Sequence, residues 1–424
     1  MTAQSLLLLK RLFIMTYLQK RLILFSNPAF SMFFISAICT TFGDGLLYII
    51  VTWLVLKAYG SVSSIAILML CFWLPKVVFG PWCGVLADRH SRKDLVVISN
   101  TLRTLFTLSL TFLLFWHFSV YILYVLAVSM GICWGLYTPA SMALVCELVA
   151  SKDLLYANAT MDTAYELGNI VGMGIAGLAL ALISPQLALV FAGILFLFSA
   201  LTAWRISPPI NIIPKDPTLI QPHWLSDLQE GLKYLLRHRT LMLLCLIQLL
   251  IMVEYMTTPV LLAPFATQIL HATAGQFGLI EVGLSIGLVL GGVISPYLAE
   301  KYGAFWIIAL EMLLLGICFW FFSLNDKLWL AVVLYGVMGF CFSTWPLVLT
   351  EAQRLTEMRF QGRVQSTFNS LSGLSIVSVY LTIHFIGNNI PIQGLYWLEI
   401  FFALISLLLF LSQQKHWRKM YSPL

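Results

Sequence analysis

Apolar residues in this chain come in long, nearly unbroken runs, and the short stretches between them hold most of the charge. A run of about 20 apolar residues matches a helix that crosses a hydrocarbon core about 30 Å thick. Such runs cover 30–56, 62–86, 95–116, 119–144, 158–183, 186–206, 240–263, 275–298, 304–323, 328–350, 363–387 and 392–412, which predicts twelve spans. In lipid a helix satisfies its own backbone, whereas a barrel needs short strands of alternating polarity. The predicted class is therefore an all-α membrane protein. The pattern divides it into a cytoplasmic or interfacial segment over 1–28, a six-helix bundle over 29–206, a linker with a short helix over 207–239, a second six-helix bundle over 240–412, and a cytoplasmic tail over 413–424.

Composition agrees with the pattern: 60% of the 424 residues are hydrophobic and 10% charged, against about a quarter charged in a soluble domain. Among the first residues, Leu6 to Leu9 is too short an apolar run for a secretory signal. Lys10, Arg11, Lys20 and Arg21 among leucines predict a helix lying on the membrane surface, and Met15 is an alternative start. The eight cysteines lack the spacing of metal ligands and are expected to pack as small apolar side chains. Neither a metal nor a cofactor is expected.

Charge sets the orientation. Of 24 basic residues, all except Lys57, Lys76, Arg103 and Lys327 lie on the termini or on the connections that follow even-numbered spans. Lys and Arg accumulate on the cytoplasmic side, so both termini are predicted to be cytoplasmic. The net charge of +6 follows from that bias, and no nucleic-acid partner is expected. The longest connection, from Ser207 to Arg239, holds Pro208, Pro209, Pro214, Pro217 and Pro222 and then the helix-like stretch WLSDLQEGLKYLLRHR.

The two halves show a weak repeat. Leu86-Ala87-Asp88-Arg89 aligns with Leu298-Ala299-Glu300-Lys301, Gly80 with Gly292, and, nearly in register, Asp44 with Glu254. Internal duplication around a midplane site is a common build for carriers that rock between two states. Asp44 and Glu254 each lie about 21 Å into their spans at about 1.5 Å per residue. An ionised carboxylate there costs about 2.5–3.5 kcal/mol or more unless it is wetted or paired. Both are candidates for carrying a proton; the structural alternative for Asp44 is a cap on backbone beside Gly43 and Gly45. Lys76 is a candidate counter-charge or a snorkelling side chain.

The stretch GVLADRHSRK, read as Gly84-x-x-x-Asp88-Arg89-x-x-Arg92-Lys93 between the second and third spans, resembles the signature loop of the major facilitator superfamily. FGDG at 42–45, TPASMALVCELV at 138–149, LLYANA at 154–159, DLQEGLKYLLRHR at 227–239 and GRV at 362–364 are similar to the bacterial branch that holds the enterobactin exporter and macrolide efflux proteins. Two departures stand out. Ser91 replaces a glycine of the loop, and serine tolerates positive φ less readily. Exporters often carry a Gly-Pro pair in the fifth span, where this chain has Gly172-Met173.

The resemblance implies a monomeric multi-pass transporter of the bacterial inner membrane that moves a small amphipathic molecule, drug or siderophore, outward by alternating access in exchange for protons. It implies a cytoplasmic gate of Gly84, Asp88, Arg89, Arg92, Lys93, Glu147 and Arg363. In it Asp88 closes on the start of the eleventh span near Gly362 and Arg363, where the helix dipole favours an anion, and Arg92 meets Glu147. It also implies a cavity wall of Trp134, Tyr137, Tyr255, Phe342, Trp345 and Phe368. Asp162, Tyr165 and Glu166 are placed at an inner vestibule. Glu281, Glu311 and Glu399 have no motif around them and are expected to be interfacial or structurally paired. Gly80-x-x-x-Gly84, Gly131-x-x-x-Gly135, Gly168-x-x-x-Gly172 and Gly283-x-x-x-Gly287-x-x-x-Gly291 predict close helix contacts.

Other readings of the same spans are a siderophore importer, a lysophospholipid transporter, a channel and an intramembrane enzyme. The last has little in its favour: Thr41 stands where a Gly-x-Gly-Asp protease motif needs glycine, no His-Glu-x-x-His is present, and His384 is a lone intramembrane histidine expected to bond between helices. No Gly-x-x-x-x-Gly-Lys-Ser/Thr phosphate loop is present either. No catalytic residue is assigned.

Overall fold

The computed structural model describes residues 21–206, 224–357 and 360–414. The surface helix expected before residue 21, the proline-rich stretch of the linker, the basic tail and the side chain of Asp88 lie outside the described residues. Fourteen α-helices are numbered here in chain order: α1 Pro28–Tyr59, α2 Val62–Arg89, α3 Arg92–Trp116, α4 Val120–Leu148, α5 Leu154–Leu182, α6 Pro185–Trp204, α7 Trp224–Arg237, α8 Arg239–Gln268, α9 Ala274–Tyr302, α10 Ala304–Ser323, α11 Leu328–Phe342, α12 Thr344–Leu355, α13 Gln361–Ile386 and α14 Ile392–Ser412. Among the described residues no strand occurs. Among the described residues twelve spans are long and apolar enough to cross a membrane.

Local chemistry explains the boundaries. α1 stops at Gly60, whose φ of +61° suits glycine, and α9 stops at Gly303, at φ +93°. α9 starts on a capping box in which Gln276 N–H donates to Thr273 Oγ1 and the Gln276 side chain accepts from Thr273 N–H. The tenth predicted span is broken between α11 and α12 at Ser343. Pro346 causes the break: it has no N–H, and its ring crowds the carbonyl four residues back, that of Phe342.

The charged stretch is mostly helix. α2 runs to Arg89, only His90 and Ser91 intervene, and α3 begins at Arg92. Ser91 sits at φ −61°, ψ 120°, and its hydroxyl accepts from Asp94 N–H. The expected difficulty with positive φ therefore does not arise, because this position is an N-cap, where serine is favoured.

Two compact units divide the chain. The first holds Met1–Tyr48, Val78–Gly172 and Ile183–Ile220. Its helices approach closely at small residues: a Cβ on Gly168 of α5 would stand 2.7 Å from Ile38 O of α1, and one on Gly193 of α6 would stand 2.6 Å from Leu108 of α3. Ser36, Thr40, Asn100 and Ser199 join α1, α3 and α6 through hydroxyl and amide bonds of 2.7–2.9 Å. Such bonds join helices where no water competes.

The second unit holds Ile49–Val77, Met173–Leu182 and Gln221–Leu424. Gly283, Gly287 and Gly291 of α9 form a seam against α11: a Cβ on Gly283 would lie 2.9 Å from Val332 O, and one on Gly287 2.8 Å from Phe340 N. At the start of α2, Ser63 N–H donates to Asn388 Oδ1 and its hydroxyl bonds His384 Nδ1. His384 is thus an interhelical bonder, as its isolation in the sequence suggests. The short helix α7 lies on α13: Arg363 pairs with Glu230 at 2.7 Å, and Tyr234 stacks on Phe360 at 4.4 Å between centroids.

Candidate functional site

In the first unit the site is built on Asp44 and Arg103. Arg103 of α3 is fully buried, and one guanidinium nitrogen reaches both oxygens of Asp44, at 3.0 and 2.8 Å. Three rings surround the guanidinium, with centroids 5.2 Å away in Trp134, 5.1 Å in Tyr137 and 5.6 Å in Phe196. Ring faces attract such a cation, most strongly where water is excluded. Asp44 keeps 19% of its side chain exposed. Gly43 lets Phe196 come this near, since a Cβ there would stand 2.7 Å from the ring. Asp44 is thus an ion-pair member rather than a backbone cap. Lys76 stands over the Trp73 ring at 4.4 Å.

At the end of this unit marked by Arg89, the expected partners Arg92 and Glu147 meet at 2.8 Å, each mostly buried. Lys93 donates to Ile206 O at 2.7 Å, which ties the start of α3 to the end of α6. Arg89 is exposed and Gly84 half-buried, and a Cβ added at Gly80 or Gly84 would meet nothing within 4 Å. Asp162 is exposed on α5, with Tyr165 and Glu166 half-buried beside it. Arg21 crosses this surface and donates to Thr160, Thr163 and Ala159 O.

The second unit holds the other acid. Glu254 of α8 is fully buried, and neither of its carboxylate oxygens has a hydrogen-bond partner. It lines a narrow crevice with Met312 of α10, Cys341 of α11, Thr344 of α12 and Ser406 of α14. Four further acids are buried in this unit, Glu281, Glu311, Glu351 and Glu399. Glu399 accepts from Thr257, and Glu311 accepts from Ser295 and, at 2.6 Å, from Thr344. Of the two placements expected for Glu281, Glu311 and Glu399, interfacial or structurally paired, Glu311 and Glu399 take the paired one, and all three are buried. Among the described residues of this unit no lysine or arginine is fully buried with them, and Lys76 is half-buried. The aligned positions 44 and 254 thus differ in chemistry: one acid is bonded by a buried arginine and the other has no hydrogen-bond partner.

The remaining aromatic candidates pair within the second unit. Tyr255 meets Phe342 edge-on at 5.2 Å, and Trp345 meets Phe368 at 5.3 Å. Arg363 is engaged by Glu230 of α7. Among the described residues no group of three or more His, Cys, Asp or Glu is gathered for a metal ion, and all eight cysteines are free.

Several of these residues escaped the sequence reading. Arg103 was identifiable as an arginine deep in a span, which must find a counter-ion there. The break in the tenth span was marked by Pro346. The burial of Glu311 and Glu399 left no sequence signal, because uniformly apolar spans do not reveal which face turns inward.

The sequence profile described as Major Facilitator Superfamily matches residues 33–261 and 244–421. Macrolide efflux protein A of Streptococcus pyogenes is 24% identical over 324 residues, covering 75% of this chain and 79% of that protein. The multidrug efflux pump Tap of Mycolicibacterium fortuitum is 25% identical over 345 residues, covering 78% and 82%. A crystal structure of a variant of the nucleoside transporter NupG superposes with a TM-score of 0.72 at 13% identity, covering 91% of this chain and 99% of that one, a likeness of fold. With twelve candidate spans and a profile match along most of its length, this multi-pass membrane protein is a transporter and belongs to the major facilitator superfamily.

Proposed function

We propose that this transporter exports a small amphipathic molecule, a drug or siderophore, across the bacterial inner membrane in exchange for protons, with both termini cytoplasmic and one chain as the working unit. The observation that carries the coupling is Glu254, a fully buried carboxyl group with neither oxygen bonded. An ionised form there has no compensation, so the group is stable only with a proton or a cation. A state that wets Glu254 releases the proton, and a state that dries it requires one.

Asp44 is the second coupling acid. Its proton would neutralise the charge that holds Arg103, leaving the guanidinium over Trp134, Tyr137 and Phe196 and loosening α3 from α1. Substrate binding falls to the aromatic residues Trp134, Tyr137, Tyr255, Phe342, Trp345 and Phe368, with Asp162, Tyr165 and Glu166 at the entrance. Gly84, Asp88, Arg89, Arg92, Lys93, Glu147 and Arg363 form the cytoplasmic gate, and the uncovered faces at Gly80 and Gly84 support it as surfaces free to be approached. The efflux roles named for the two relatives favour an amphipathic drug as cargo.

The test is uptake into inverted membrane vesicles across a panel of macrolides, cationic dyes and siderophores, with and without a proton uncoupler. The proposal expects at least one compound to accumulate and the uncoupler to abolish its accumulation. Accumulation of the best compound that survives collapse of the proton gradient refutes the exchange.

A further inference from the structure

Resting on the proton-exchange reading, we infer that the second half carries its own proton route, in which Glu311 relays protons between Glu254 and a crevice at the end of the bundle formed by α9, α10 and α12. Five acids are buried in this unit, and three of them, Glu254, Glu311 and Glu351, stand along one polar thread. Thr344 lines the crevice of Glu254 and donates to Glu311 Oε2 at 2.6 Å. The other oxygen of Glu311 accepts from Ser295, whose hydroxyl lies 2.8 Å from that of Ser343. Beyond Ser295 and Thr344, Pro296, Pro346, Thr350, Glu351 and Arg354 line an open crevice.

The order of groups along the thread follows chain geometry. Glu254 lies about 22 Å from the Arg239 end of α8, and Glu311 about 10 Å from the Ala304 end of α10, at about 1.5 Å per residue. Glu311 therefore sits between Glu254 and the bundle end that carries Lys301 and Arg354. The hydroxyl of Thr344 can pass a proton without net loss: it gives its hydrogen to Glu311 Oε2 and takes the one released by Glu254, and the reverse sequence moves a proton back. Glu254 Oε1 and Oε2 and Ser406 Oγ are the buried atoms without partners along this crevice, so the thread has an acceptor set waiting at its inner end.

The break at Ser343 supplies a gate. The crevice beside Glu254 is too narrow for a water molecule in this conformation, so the step from Glu254 to Thr344 is closed. Thr344 is the first residue of α12, directly after the break, and a small swing of α12 about Ser343 alters the distance from Thr344 to Glu254. Among the described residues the titratable groups around Glu311 are Glu254, Cys318 and Cys341 on the packed helices and Glu300, Tyr302, Glu351 and Arg354 in the open crevice. Among these only Arg354 is a cation, and it is bound to Glu351 at 2.8 Å.

The experiment uses the full chain in inverted vesicles with erythromycin as probe and compares flux driven by a pH gradient with exchange of labelled against unlabelled probe at equilibrium. Glu311→Gln is expected to lower gradient-driven flux about tenfold or more, the scale of losing one proton-transferring group, with a much smaller change in exchange. Thr344→Val is expected to reproduce this split and Thr344→Ser, which keeps the hydroxyl, to reverse it, so the question stays answerable if the Glu311 variant fails to fold. Wild-type protein that shows no gradient-driven flux overturns the coupling reading and the relay together. Gradient-driven wild type with Thr344→Val or a folded Glu311→Gln equal to it overturns the relay alone.

Discussion

Arg103 Nη1 lies 2.8 Å from Asp44 Oδ2 with no exposed surface on the arginine, so each charge exists in this bundle because of the other. Removing one partner of a buried pair leaves the other uncompensated, at a cost of about 3–5 kcal/mol. Arg103→Leu and Asp44→Leu are each expected to lower thermal stability in detergent strongly. The double variant should be more stable than the Arg103→Leu single variant, because it buries no charge. A double variant as unstable as the sum of the singles would show that the two residues do not act on each other.

Arg92 and Glu147 make a mostly buried bond between the start of α3 and the end of α4. A hydrogen bond to a charged group contributes about 1.5–3 kcal/mol. Glu147→Gln is expected to lose part of this and Arg92→Ala all of it, read as a fall in unfolding midpoint. The exchanged pair, Arg92→Glu with Glu147→Arg, should recover more stability than either single reversal.

The long spans were legible because apolar length is written directly in the chain, and the basic connections were legible because charge avoids lipid. The carboxylate chemistry was less so. Asp44 and Glu254 align, yet Asp44 is bonded by the buried Arg103, which among the described residues has no fully buried basic counterpart in the second half. Glu311 and Glu399 were expected to be either interfacial or structurally paired, and no periodic polar face in the sequence decides between the two. Ser91 looked strained by analogy with a glycine, whereas its actual place as an N-cap could have been read from Asp94 three residues later.

Glycines divide into two classes that substitution should separate. Gly168 and Gly287 face backbone, so Gly168→Val or Gly287→Val is expected to cost about 1–3 kcal/mol or more through overpacking. Gly80, Gly84 and Gly292 face open space inside helices, and alanine at each should hold stability in this conformation or raise it by up to about 1 kcal/mol. If Gly80 and Gly84 are approached in another state of the cycle, Gly80→Leu and Gly84→Leu will lower transport while the unfolding midpoint holds. Unimpaired transport in both leucine variants would remove them from the gate.

For the gate itself, Asp88→Asn should make a reporter cysteine placed in the cavity lining more reactive to a membrane-impermeant thiol reagent applied from the cytoplasmic side. Equal labelling with and without the substitution would remove Asp88 from closure. The measurement needs a background in which the eight native cysteines have been replaced.

The docking of α7 on α13 bears on how the protein can be cut. Gly231 packs so near α13 that a Cβ would stand 2.6 Å from Arg363 O, and Tyr234 Oη accepts from Glu357 N–H. That helix travels as part of the C-terminal fragment. Two polypeptides separated anywhere within 207–223, expressed together, should reassemble into a working carrier, while a division after Arg237 strands the helix on the wrong piece and deprives the other of its brace.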